Sequence, residues 1–135
     1  MTLLPVTAPG PHLRVLIVDD NRDAATTLGA LLELHGADVR VEYGADAALV
    51  AVEEHHPTLL LVDLGMPDRD GLDVARTLRL RPDRSRLVVV AVTGWGDQHH
   101  RNLSRDAGFD HHLVKPAHLA ELYRIMESCA EMRTA

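Results

Sequence analysis

Short apolar runs alternate along the chain with segments in which apolar residues recur at helical spacing. Uninterrupted apolar runs are typical of strands buried on both faces of a parallel sheet. They predict five strands, at 14–18, 39–41, 58–62, 87–92 and 109–114. Apolar residues three and four positions apart predict helices over about 24–35, 44–56, 72–78, 97–107 and 117–130. Because βαβ crossovers are right-handed, this order predicts a doubly wound α/β domain with helices on both faces of the sheet.

The spacing also predicts which helix residues face the sheet. In the first helix these are Ala24, Leu28, Leu31, Leu32 and His35, followed by Gly36 as a stop. In the last helix they are Leu119, Leu122, Ile125, Met126 and Cys129.

Length, charge and cysteine usage narrow the class of protein. The 135 residues suit one domain, expected over 13–131 after a flexible lead-in at 1–12. A net charge of −6 argues against a nucleic-acid surface or an anionic membrane as partner. The single cysteine, Cys129, excludes an internal disulfide and suits a reducing cytoplasm. The apolar runs are too short to span a bilayer, so we expect a cytoplasmic protein.

Polar residues follow the predicted strands where a doubly wound sheet binds its ligands, beyond the carboxyl ends. They are Asp19 and Asp20 after the first strand, Asp63 after the third, Thr93 after the fourth and Lys115 after the fifth. Clustered carboxylates repel unless a cation neutralises them, and oxygen ligands favour Mg²⁺. Asp63 is then a candidate nucleophile, with a hydroxyl and an ammonium to stabilise a transferring phosphoryl group. Alternatively, Asp19 and Asp20 serve only as helix N-terminal carboxylates.

Four motifs on these strand ends carry a resemblance to a known family. They are VLIVDDN at 15–21, LLVDLGMP at 60–67, VTG at 92–94 and LVKP at 113–116. In this order they resemble the receiver domains of two-component response regulators, and the likeness covers roughly 13–130. It implies a flavodoxin-like (βα)5 three-layer sandwich with strand order 2-1-3-4-5.

The resemblance implies roles for the acidic residues. Asp63 would be the phosphoacceptor. Asp20 would bind Mg²⁺ directly and Asp19 mainly through water, with the backbone carbonyl of Gly65 as a further ligand.

It also implies roles for the residues around the acceptor. Thr93 would bind a phosphoryl oxygen and report the modification by moving, and Lys115 would pair with another oxygen. Pro116 would fix the following turn through a cis bond, which proline tolerates. Pro67 and Gly71 would shape the loop after the acceptor.

Histidines add two departures from an ordinary receiver. His112 stands where receivers usually carry Tyr or Phe, which puts the usual aromatic switch in doubt. Pairs at 55–56, 99–100 and 111–112 could suggest zinc, but neighbours on a strand face opposite ways, so we favour solvated surface histidines. Trp95 lies where the family tunes access of water to the aspartyl phosphate.

Three other functions also involve an acidic or phosphate-binding site on an α/β fold of this kind or on a receiver domain. A haloacid-dehalogenase-type phosphatase would need a second acid where Gly65 stands, and a flavodoxin-like FMN carrier would need a phosphate loop where the sequence has Asp19, Asp20 and Asn21. A degenerate receiver used only for protein contacts is the nearest alternative.

The resemblance implies a histidine kinase or histidine phosphotransfer protein as partner, and no enzyme activity beyond the domain's own phosphorylation and dephosphorylation. A stand-alone receiver and a piece of a hybrid kinase both remain open. So does a homodimer through the fourth helix, fifth strand and fifth helix.

Overall fold

A five-stranded parallel sheet forms the centre of the protein in a computed structural model that describes residues 13–66, 71–81 and 87–134. Its strands are β1 (Arg14–Val18), β2 (Asp38–Glu42), β3 (Leu59–Asp63), β4 (Val88–Thr93) and β5 (His111–Val114). The helices are α1 (Arg22–Leu34), α2 (Ala45–His55), α3 (Gly71–Arg79), α4 (Gln98–Ala107) and α5 (Leu119–Thr134). The strand order is β2-β1-β3-β4-β5, with every neighbouring pair parallel. The predicted doubly wound fold and its strand order are confirmed.

Two apolar cores cover the two faces of the sheet. One joins alternate strand residues to α2, α3 and α4, and includes Leu60, Val62 and Leu78. The other joins the intervening strand residues to α1 and α5, and includes Ile17, Leu61 and Leu122. Because β3 is buried along its whole length, the residue at its carboxyl end is held rigidly. Within the described ranges, no helix has the length and apolar character needed to cross a membrane.

The inward face of α1 differs from the predicted one. Ala24 is exposed, whereas Ala25 and Gly29 are buried together with Leu32. Gly29 packs so closely on β2 that a Cβ there would lie 3.4 Å from Val39 Cγ1. The close approach of this helix to the sheet thus uses a residue without a side chain, which an apolar pattern does not reveal. The predicted stop at Gly36 is confirmed by its φ of 98°.

The start of β5 was also predicted wrongly. The strand begins at His111 instead of residue 109, because the main-chain N–H of Phe109 donates to Ser104 and closes the last turn of α4. The inward face of α5 is confirmed, with Leu122, Ile125, Met126 and Cys129 buried and Leu119 half-buried. The predicted lead-in at 1–12 lies outside the described residues.

Candidate functional site

The polar residues predicted from the strand ends meet at one edge of the sheet. One carboxylate oxygen from each of Asp19, Asp20 and Asp63 lies within 4.8 Å of the others. The Lys115 Nζ lies 3.1 Å from Asp63 Oδ1. Thr93 is the last residue of β4, which lies between β3 and β5. All five residues named from the sequence therefore share this edge.

Asp63 is held in a defined orientation. It is the last residue of β3 and only 7% exposed. The main-chain N–H of Gly65 donates to Asp63 Oδ1 at 2.9 Å, and Lys115 reaches the same oxygen. The turn after Asp63 is tied to the neighbouring strand, because the N–H of Leu64 donates to the carbonyl of Val92 at 3.0 Å. The Asp63 carboxylate also lies beside that of Asp19, with which it interacts within the shared cluster.

Asp19 does not act as the cap of α1. The cap is Asn21, whose side chain accepts a hydrogen bond from the N–H of Ala24 at 3.1 Å. Asp19 Oδ1 accepts the N–H of Asn21 at 2.9 Å, which holds the carboxylate at the rim of the site. Burial raises the pKa of Asp19, the Asn21 hydrogen bond opposes this, and the nearby Asp63 raises it further. The charged form of Asp19 is therefore disfavoured in the folded protein, and a neighbouring cation would favour it.

The three carboxylates fit a hard divalent cation. They offer only oxygen ligands, and Asp20 is exposed while Asp63 is buried, so the cluster is open to water on one side. It is the one such group of His, Cys, Asp and Glu side chains found among residues 13–66, 71–81 and 87–134. Mg²⁺ commonly keeps several waters and binds through a few carboxylates. Gly65 follows in the same turn, and its carbonyl as a ligand stays a prediction.

Thr93 and Lys115 are joined through the backbone. The N–H of Lys115 donates to the carbonyl of Thr93 at 2.7 Å. Thr93 is 3% exposed, and its Oγ1 accepts the N–H of Trp95 at 3.2 Å. The Lys115 side chain is 43% exposed, so its ammonium lies between Asp63 and solvent. A hydroxyl at the end of β4 and an ammonium just after β5 thus lie at the same edge of the sheet as Asp63.

Two turns shape the rim of the site. The Lys115–Pro116 peptide bond is cis, as the resemblance implied. Gly71 allows α3 to start against the turn that follows Asp63, since a Cβ there would lie 3.1 Å from the carbonyl oxygen of Asp63. Pro67, predicted to shape the same loop, lies outside the described residues.

His112 is more firmly held than a solvated surface histidine. Its Nδ1 lies 2.8 Å from Ser104 Oγ, and its Nε2 lies 2.7 Å from the carbonyl oxygen of Trp95. The Trp95 ring is 63% exposed and stacks on His100 with centroids 5.2 Å apart. His111, in contrast, is exposed. None of the histidines that the structure describes belongs to the cluster of Asp19, Asp20 and Asp63.

Sequence reasoning missed Ser104 and Arg101. Ser104 is 1% exposed on α4 and contacts His112, and Arg101 Nε donates to the carbonyl of Gly96 at 2.8 Å. A polar residue on the buried face of a helix was the only available signal for Ser104. Nothing in the local pattern marks Arg101, because its partner is a main-chain carbonyl.

Comparisons with known proteins agree with this architecture. A family model for the response regulator receiver domain matches residues 15–127. An uncharacterized 14.6 kDa protein in the sodA1 3' region of Leptolyngbya boryana is 34% identical over 116 residues, covering 86% of this chain and 88% of that protein. The gliding motility regulatory protein of Myxococcus xanthus is 37% identical over 113 residues, covering 82% of this chain but only 14% of that protein.

Solved structures give the same result. The response regulator receiver domain (CheY-like) from Methylobacillus flagellatus superimposes with a TM-score of 0.76 at 30% identity, covering 88% of this chain and 99% of that one. The chain therefore belongs to the response regulator receiver domain family of two-component signalling.

Proposed function

We propose that Asp63 accepts a phosphoryl group in a Mg²⁺-dependent reaction and that the modified domain presents a changed protein-binding surface. The observation that carries this proposal is the convergence of Asp19, Asp20 and Lys115 on the buried carboxylate of Asp63. The phosphoryl donor is a phosphohistidine on a histidine kinase or a histidine phosphotransfer protein, as the family suggests.

The chemistry needs one bond exchange. A carboxylate oxygen of Asp63 attacks the phosphorus, a new O–P bond forms, and the N–P bond of the phosphohistidine breaks with its electron pair passing to the imidazole, which takes up a proton. The contacts of Gly65 and Lys115 with Oδ1 hold the carboxylate in a fixed orientation for this attack. Lys115 and the hydroxyl of Thr93 stabilise the charge that develops on the phosphoryl oxygens.

Asp19, Asp20, Asp63 and the Gly65 carbonyl would hold Mg²⁺ in this scheme. When bound, the ion supplies positive charge that neutralises the carboxylates and the transferring phosphoryl group. The chain acts only in its own phosphorylation and dephosphorylation, and in that sense is not an enzyme. A cytoplasmic location, suggested by the single cysteine, stays a prediction.

Intact mass spectrometry after incubation with acetyl phosphate and Mg²⁺ tests the proposal. The wild-type protein should gain the mass of one phosphoryl group, and Asp63→Asn should gain none because the amide is a poor nucleophile of the same shape. Asp38→Asn, at the opposite end of the sheet, is the matched control and should be phosphorylated like the wild type. A wild-type chain that stays unmodified, including with its cognate kinase, would favour the degenerate interaction module.

A further inference from the structure

A hydrogen-bonded bridge runs from α4 through the ring of His112 to the loop between β4 and α4. The ring lies between Ser104 Oγ, at 2.8 Å, and the Trp95 carbonyl oxygen, at 2.7 Å. A carbonyl oxygen can only accept, so the His112 Nε2 carries a proton and donates it. One imidazole therefore joins a helix, a strand and a loop that are separate in sequence.

Side chains hold two consecutive carbonyls of this loop. His112 binds the carbonyl of Trp95, and Arg101 Nε binds that of Gly96 at 2.8 Å. Ser104, which anchors the far side of the imidazole, is 1% exposed. Its hydroxyl lies within hydrogen-bonding distance of both His112 Nδ1, at 2.8 Å, and the carbonyl oxygen of Arg101, at 3.1 Å, and its single proton can serve one of the two.

The loop in turn fixes the oxygen of Thr93. The N–H of Trp95 donates to Thr93 Oγ1 at 3.2 Å. The Thr93 hydroxyl proton has no acceptor within the described part of the chain, so it can be given to a phosphoryl oxygen without breaking this contact. The N–H of Trp95 is therefore one contact that orients the Thr93 hydroxyl.

We propose that Ser104 and His112 are positioning residues for the acceptor site, and that they preorganise Thr93 by holding the main chain of Trp95. This inference rests on the proposed function and extends it to α4. It also gives His112 a role based on two hydrogen bonds, where an aromatic ring would act mainly by burial. The bridge couples the acceptor edge to α4.

Four single variants and one double variant separate the effect of these hydrogen bonds from that of ordinary packing. His112→Leu removes both ring nitrogens, and His112→Gln keeps an N–H donor for the Trp95 carbonyl. Ser104→Ala removes the hydroxyl that contacts His112 Nδ1 and the Arg101 carbonyl. His111→Leu is the matched control, because it alters the neighbouring exposed position on the same strand. A Ser104→Ala/His112→Leu double variant should behave like His112→Leu alone, since both changes break one bridge.

Amide hydrogen exchange in the free protein is the first measurement. We expect exchange at the Trp95 amide, whose N–H donates to Thr93 Oγ1, to be faster by roughly 2- to 10-fold in His112→Leu, the effect of losing one net hydrogen bond. The increase should be smaller in Ser104→Ala and His112→Gln and absent in His111→Leu. Exchange in the β1 core should not change in any variant. Equal acceleration throughout the chain would mean general destabilisation and would overturn the inference, as would unchanged exchange in the loop.

The second measurement is affinity for beryllofluoride with Mg²⁺, monitored by fluorescence of the single tryptophan, Trp95. His112→Leu should bind roughly 2- to 10-fold more weakly, and His112→Gln should recover part of the loss. Unchanged affinity alongside faster loop exchange would show that the bridge does not position Thr93, and the inference would be wrong. If the wild type binds no beryllofluoride, the proposed function fails instead, and the exchange rates still decide whether the bridge holds the loop.

Discussion

Replacing Asp19 by Asn should stabilise the metal-free protein while weakening its response to Mg²⁺. The carboxylate oxygens of Asp19, Asp20 and Asp63 lie within 4.8 Å of one another, and two unit charges at that separation repel by about 0.9 kcal/mol in water and about 3.5 kcal/mol at an effective dielectric constant of 20. The lower figure suits Asp19, which is only half-buried. Two repulsive pairs are relieved, but attraction to Lys115 and part of the bond from Asn21 are lost. The net gain is about 1 kcal/mol, or roughly 3–5 °C in Tm for a domain of this size.

The pH dependence follows from the raised pKa of Asp19. Burial and the neighbouring carboxylate of Asp63 raise that pKa above its ordinary value of 3.8, so the folded protein binds the proton more readily than the unfolded chain. The cost of the charge is present above the raised pKa and disappears as the pH falls through it. The advantage of Asp19→Asn should therefore be full at neutral pH and should vanish in acid, where Asp19 is itself neutral.

Thermal unfolding in EDTA and in Mg²⁺ provides the assay. At ten times its dissociation constant, a ligand of the folded state adds about 1.4 kcal/mol of stability. The wild type should gain this amount from Mg²⁺ and Asp19→Asn should gain much less at the same concentration. Asp38→Asn, far from the cluster, should match the wild type in both buffers. A lower Tm for Asp19→Asn in EDTA, or an undiminished gain from Mg²⁺, would refute the electrostatic reasoning.

Two further predictions concern packing. Gly96→Ala should lower the free energy of unfolding by roughly 1–3 kcal/mol in urea titrations, because its Cβ would lie 2.8 Å from Val114 Cγ2. Gly94→Ala meets nothing within 4 Å and is the control, and equal stability of the two variants would contradict the predicted clash. Cys129 should resist alkylation at pH 8 in the folded state, since burial raises the pKa of its thiol to about 11, and should react at once in urea. Fast labelling of the folded protein would show that the α5 packing is wrong.

The fold could be predicted because its strands are short, apolar and separated by helices with a clear inward face. The pattern located all five strands to within about two residues, and the burial of β3 followed directly from its unbroken apolar run. The inward face of α1 was predicted wrongly because it includes Gly29. This residue packs closely on β2 through its backbone, and an apolar pattern does not reveal a contact made without a side chain. The start of β5 was misplaced because Phe109, although apolar and buried, belongs to the turn that ends α4.

The candidate site could be predicted from the sequence for a different reason. Parallel strands carry their carboxyl ends to one edge, so the topology alone brings Asp19, Asp63 and Lys115 together once the strand order is known. Local patterns could not decide whether Asp19 was a helix cap or a site residue. The structure answers this through Asn21, which takes the capping role and also orients the Asp19 carboxylate.

The two hydrogen bonds of the His112 ring could not be predicted from the sequence. Receivers usually carry Tyr or Phe at this position. A comparison of buried area alone suggests that the smaller imidazole of His112 would make a weaker switch than those rings. An imidazole also has two nitrogens, and their value depends on whether Ser104 and the Trp95 carbonyl lie within reach, which only the folded chain decides. Two hydrogen bonds at 2.7–2.8 Å have directional requirements that apolar contact lacks. A His at this position therefore offers less packing area than a larger aromatic ring but adds directional hydrogen bonds. The proposed coupling between the Asp63 site and α4 should depend on the donors and acceptors of these three groups more than on the size of the ring.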